Sequence, residues 1–137
     1  MDKVWLLTED EFLVLASACG IKSIRFFSLN IGSVESERVI YTIHGLRQKG
    51  LLEYGEDLHV TQEIKEIFET ISDAYSTLEL HKKSGRTCVI YMNDYAVRIS
   101  KSFRRENTYE VSRMETNEIW SYLQDEGWIF CKEGVRE

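Results

Sequence analysis

Thr77-Leu-Glu-Leu-His81, Thr87-Cys-Val-Ile-Tyr-Met92, Tyr95-Ala-Val-Arg-Ile-Ser100 and Thr108-Tyr-Glu-Val-Ser-Arg113 are four runs rich in β-branched and aromatic residues. Between them lie Lys82-Lys83-Ser84-Gly85, Asn93-Asp94 and Arg104-Arg105-Glu106-Asn107. Short polar spacers between such runs are the signature of consecutive hairpins, so 77–114 reads as a four-stranded antiparallel meander. Strand side chains alternate between faces, which puts Leu78, Leu80, Tyr95, Val97, Ile99, Tyr109 and Val111 on one face. Glu79, Arg98, Glu110 and Ser112 then fall on the other. One face is expected to be wet and the other covered by helices.

The helices are sought on either side of the meander. Thr8-Glu9-Asp10-Glu11 has capping-box spacing, with Leu7 and Phe12 placed as a hydrophobic staple. Phe12, Leu15, Ala16 and Cys19 recur at helical spacing before Gly20, predicting a helix from about Glu9 to Cys19. From Ile21 to Gly32 no period holds, and an irregular connector carrying Phe26 and Phe27 is expected. A second helix opens near Ser33 to Ser36, places Val39, Ile40, Ile43 and Leu46 on one face, and closes at Gly50. Leu51 to Thr61 reads as a small hairpin turning at Gly55-Glu56-Asp57 and bearing Tyr54. Thr61 caps a third helix with Ile64, Ile67, Phe68 and Ile71 as its stripe, down to Ala74. A short fourth helix from Thr116 to Gln124 turns Ile119, Trp120 and Leu123 inward, Gly127 ends it, and Trp128-Ile129-Phe130 begins an extended tail.

The expected fold is therefore α+β: helices packed on one face of a four-stranded antiparallel β-meander, with a short C-terminal helix. One domain spans 1–137, with a helical part over 1–74 and the sheet and last helix over 75–137. The order helix, helix, hairpin, helix in the first part is that of a winged-helix domain. At 137 residues such a chain supports an independent core without metal or disulfide staples.

Composition narrows the function classes. The longest apolar stretches fall far short of the roughly 20 residues a bilayer demands, and no basic segment precedes an apolar core at the amino end. A cytoplasmic protein with no membrane association is the expectation. Cys19, Cys88 and Cys131 are odd in number and never paired as Cys-x-x-Cys, which argues against a disulfide framework or a zinc site. His44, His59 and His81 have no ligand partner at metal spacing, so no metal is expected. No phosphate loop, dinucleotide fingerprint or nucleophile elbow occurs. No catalytic residue and no cofactor are assigned, and the reading is non-enzymatic.

Two binding readings remain. The hairpin of the winged-helix-like part is acidic at Glu53, Glu56 and Asp57, the wrong sign for phosphate, and the net charge is −6. Basic residues gather in the meander, where Arg98, Lys101, Arg104 and Arg105 are the nucleic-acid candidates, though Lys and Arg at hairpin tips also serve solubility and edge protection. Nucleic acid is the less favoured partner. Protein binding is favoured because Phe26, Phe27, Tyr54, Trp120, Trp128 and Phe130 supply more large apolar groups than a small core obviously absorbs. Each of these is either an interface anchor or core cover.

The order of segments resembles the EspG family of ESX, or type VII, secretion-associated chaperones. The matching segments are Leu7-Thr-Glu-Asp-Glu-Phe-Leu-Val-Leu15, a second helix ending Gly50-Leu-Leu52, and the helix 63–74 leading into Leu78-Glu-Leu80. The hairpin from Thr87 to Ile99 completes the pattern. The resemblance implies a cytosolic, non-catalytic chaperone that binds helical secretion substrates. Members of that family are about twice this length and built from two related halves, so this chain corresponds to one half. None of the family's binding residues carries over. A single half is able to compensate by dimerising through an open sheet edge or the Trp128 region.

Overall fold

A computed structural model describes residues 3–21, 24, 35–102 and 104–128, with the backbone alone for Tyr54. Among these residues the fold is α+β, built on a five-stranded antiparallel sheet and four helices. The strands are β1 (Val4–Thr8), β4 (Ser76–His81), β5 (Thr87–Met92), β6 (Ala96–Lys101) and β7 (Thr108–Met114), in spatial order β1-β7-β6-β5-β4. The four β-rich runs pair consecutively, as the hairpin spacers require. A hairpin of β2 (Leu52–Tyr54) and β3 (Leu58–Val60) forms a separate two-stranded sheet. The helices are α1 (Glu9–Ala18), α2 (Ser36–Gln48), α3 (Gln62–Ser72) and α4 (Ile119–Asp125), the last preceded by a 3-10 turn at Thr116–Glu118.

The fifth strand corrects the four-stranded expectation. Val4 to Thr8 pairs antiparallel with Ser112 to Thr108, which closes the β7 side of the meander. Trp5 and Leu7 are buried while Val4 and Leu6 are exposed, so the alternation of a strand is present in these five residues. It is masked in the sequence because Thr8 also caps α1. The Thr8 hydroxyl accepts from Glu11 N at 3.1 Å, and the Glu11 carboxylate accepts from Thr8 N at 2.9 Å. The capping box thus doubles as the joint between strand and helix.

Both faces of the sheet are covered, which corrects the expectation of one wet face with helices on the other alone. On one face Val89, Tyr91, Val97, Ile99 and Val111 pack with Phe12, Leu15, Leu46, Ile64, Ile67 and Phe68 of α1 to α3. On the other, Cys88, Ile90, Ala96 and Met114 pack with Leu123, and Ile119, Tyr122 and Trp128 close over them. β4 also runs in the opposite phase to the one expected. Leu78 lies opposite Ile90 and Leu80 opposite Cys88, so both leucines face α4, and Glu79 shares the α1–α3 side with Val97 and Ile99. An apolar pair on an edge strand satisfies either face equally, and the presence of α4 decides between them.

Within the helices three expectations shift. Ile40 is 68% exposed, while Val39 and Ile43 are half-buried and Leu46 is buried. Residues 39, 43 and 46 follow the i, i+4, i+7 stripe, and Ile40 lies about 100° further round. Trp120 is 58% exposed and not turned inward, whereas its neighbour Leu123 is 4% exposed. Thr61 is the N-cap of α3, yet its side chain accepts no capping bond. The connector 22–34, apart from buried Ile24, and the tail beyond Trp128 lie outside the described residues.

Candidate protein-binding surfaces

The sheet of a small domain has two edges, and their unpaired backbone groups attract other strands unless blocked. The β1 edge is blocked. Lys49, at the end of α2, places Nζ 3.0 Å from the Leu6 carbonyl and 2.7 Å from Glu11 Oε1, and Glu11 Oε1 also takes the Thr8 N–H. Among the described residues the β4 edge is open. Lys82 N donates to Arg86 O at 2.9 Å, which makes 82 and 86 a hydrogen-bonded pair and turns the backbone groups of residues 77, 79 and 81 outward. Among the described residues nothing bonds to those groups. Here the sheet ends with Leu78 and Leu80 half-buried on the α4 side, and with Glu79 and His81 exposed on the other, Oε2 to Nε2 3.5 Å.

Exposed large apolar groups form the second feature. Tyr41 is 80% exposed beside Ile40 on α2, Tyr75 is 74% exposed just before β4, and Trp120 stands out from α4. Of the six aromatic candidates for partner binding, Trp120 is thus on the surface. Trp128 is half-buried in the second core: its N–H donates to Leu123 O at 2.8 Å, Lys82 Nζ lies 4.6 Å from its ring centroid and Arg86 Cζ 5.6 Å. Its Nε1 is buried. Phe26, Phe27 and Phe130 lie outside the described residues, as does the side chain of Tyr54. Ile40, Tyr41 and Tyr75 were not among the candidates. The one available signal was an apolar pair, Ile40-Tyr41, running past the width of the α2 stripe.

The basic candidates separate. Lys101, Arg104 and Arg105 are exposed at the β6–β7 tip, where Ser102 Oγ accepts from Arg105 N at 3.2 Å. Arg98 is 4% exposed, on the α4 face of the sheet. Its Nε donates to Ser112 Oγ at 3.0 Å and one terminal nitrogen donates to Ser100 Oγ at 2.5 Å; Glu110 Oε1 lies 3.7 Å away and the Tyr122 ring 5.4 Å. The expectation of Arg98 on a wet face of the sheet is therefore corrected: it is a buried cation held by Ser100 and Ser112.

Around it the titratable groups are those of a core. Burial pushes the Cys88 thiol up to about 11 against the opposing charge of Arg98, and pushes the Tyr122 hydroxyl up to about 12. Neither ionises near neutrality, so neither is poised as a nucleophile or base. A groove of about 590 Å³ between the end of α1, β3 and α3 is lined by Cys19, His59, Lys65, Glu69 and Asp73 among others. Burial raises the Cys19 thiol to about 11 as well, and no group of three metal-ligating side chains occurs among the described residues. No described helix is long and apolar enough to cross a membrane. No protein-family model and no curated protein matches the chain.

Proposed function

We propose that this chain is a non-enzymatic, cytoplasmic adaptor or chaperone-like protein that binds another protein, in the manner implied by its resemblance to one half of the EspG type VII secretion chaperones. The observation that carries the reading is that the most exposed large apolar side chains among the described residues lie outside both cores: Ile40 and Tyr41 on α2, Tyr75 before β4 and Trp120 on α4. Aromatic groups of this size held on helices lose little conformational freedom on binding and lead among interface anchors. A helical secretion substrate offers the matching apolar stripe.

Affinity co-purification of the tagged chain from its own cells tests this. The expected result is a small helical protein retained through nuclease treatment and moderate salt, and lost with Trp120→Ser or with Tyr41→Ser. Retention unchanged in both variants sinks the assignment of these surfaces.

A winged-helix nucleic-acid-binding regulator is the second reading, favoured by the order α1, α2, β2–β3 hairpin, α3 and by the exposed Lys101, Arg104 and Arg105. Charge reversal at Arg104 and Arg105 separates the two. It abolishes salt-sensitive binding if nucleic acid is the ligand and leaves an apolar partner bound.

A further inference from the structure

We infer that a second copy of this chain docks on the open β4 edge, joining two five-stranded sheets antiparallel about a two-fold axis at Leu80. The inference is independent of the adaptor reading and concerns a different surface. Three observations lead to it. At one edge of the sheet Lys49 and Glu11 bond the outward backbone groups of Leu6 and Thr8, while among the described residues nothing bonds those of the other. Such asymmetry is what an edge kept available for pairing looks like, since unprotected edges otherwise lead to aggregation.

The second observation is the register that this edge permits. Residues 77, 79 and 81 turn their backbone groups outward, so only registers that pair these residues with one another form hydrogen bonds across the axis. With the axis at Leu80, Glu79 of each copy lies opposite His81 of the other. The carboxylate accepts and the imidazole N–H donates. The same two side chains are already 3.5 Å apart within one strand and both are accessible, so four groups alternate along the joint. An axis shifted to Glu79 places two carboxylates directly opposite each other, which is destabilising.

The third observation is apolar continuity. Leu78 and Leu80 belong to the second core but remain half-buried because the sheet ends at β4. In this register Leu80 meets Leu80 of the second copy on the α4 side, and Leu78 meets the aliphatic stem of Lys82. The second copy therefore completes the core that a single chain leaves open.

Size-exclusion chromatography with light scattering on the full chain, across micromolar concentrations, tests the proposal. The expected result is twice the chain mass. His81→Glu sets like charges opposite Glu79 and yields monomer, and Glu79→Lys combined with His81→Glu restores the dimer by exchanging the two partners. Both sites are exposed, and an unchanged far-ultraviolet circular dichroism spectrum with a cooperative melt confirms that each variant folds, the monomer melting lower by the stabilisation that association supplies. A wild-type monomer overturns the proposal and leaves the edge to a strand of another protein. A dimer that survives His81→Glu assigns the contact to another surface, and failure of the double variant to recover overturns the register.

Discussion

Replacing Arg98 by alanine tests the most consequential departure of the structure from the sequence. The guanidinium is almost fully enclosed and makes two hydrogen bonds, to the hydroxyls of Ser100 and Ser112, themselves 6% and 0% exposed. Removing one member of a buried charged network costs about 3–5 kcal/mol when the remaining charge is stranded. Here Glu110 keeps access to water, its side chain 31% exposed, so the lower end applies and about 3 kcal/mol is expected. For a domain of this size that corresponds to a fall of about 6–12 °C in Tm. Urea unfolding followed by circular dichroism gives the free energy, with an unchanged m-value confirming that the comparison is sound. The triple variant Arg98→Met, Ser100→Ala, Ser112→Ala removes the cation and both hydroxyls while keeping apolar volume beneath Tyr122. It is expected to regain most of the loss, because replacing a whole buried polar set is far cheaper than breaking it. A loss below about 0.5 kcal/mol for Arg98→Ala would place the side chain on the surface and refute the buried-cation account.

Other expectations follow from single features. Cys88 should resist maleimide at pH 8 in the folded chain and react once urea unfolds it, since burial holds its thiol protonated to about 11. Stability should fall as pH rises from about 9 towards 11, measured by urea midpoints: the folded state keeps protons on Cys88 and Tyr122 that the unfolded chain releases. Thr8→Ala removes half of the capping box and should cost about 1 kcal/mol in the same assay, because the N–H of Glu11 loses its acceptor. Gly85→Ala, at a φ of +95° with open space around the added methyl, should cost roughly 1 kcal/mol through backbone strain alone.

Much of the architecture was legible locally. The capping box at Thr8 and Glu11, the stripes of α1 and α3, and the polar spacers that separate β4 to β7 are all relations between residues a few positions apart. For the same reason the consecutive pairing of the meander could be read from its turns. The candidate surface was legible only in part: Trp120 stands out of the core as an anchor must, whereas Trp128 packs into the second core, and Ile40, expected on the apolar face of α2, is exposed beside Tyr41. An aromatic residue has the same identity in either place.

What the sequence determined by itself was therefore the α+β class, the order of elements from α1 onward, and the hairpin joints, because short-range spacing and turn chemistry set them. What the tertiary structure decided was the pairing of β1 with β7, the phase of β4, the burial of Arg98 and the contrast between the two sheet edges. Each depends on residues far apart in the chain, Val4 with Ser112, Leu80 with the α4 face, Arg98 with Tyr122 and Lys49 with Leu6. No local period encodes such a meeting. It is set by which faces are left to cover once the helices have docked, and that is a property of the packed whole.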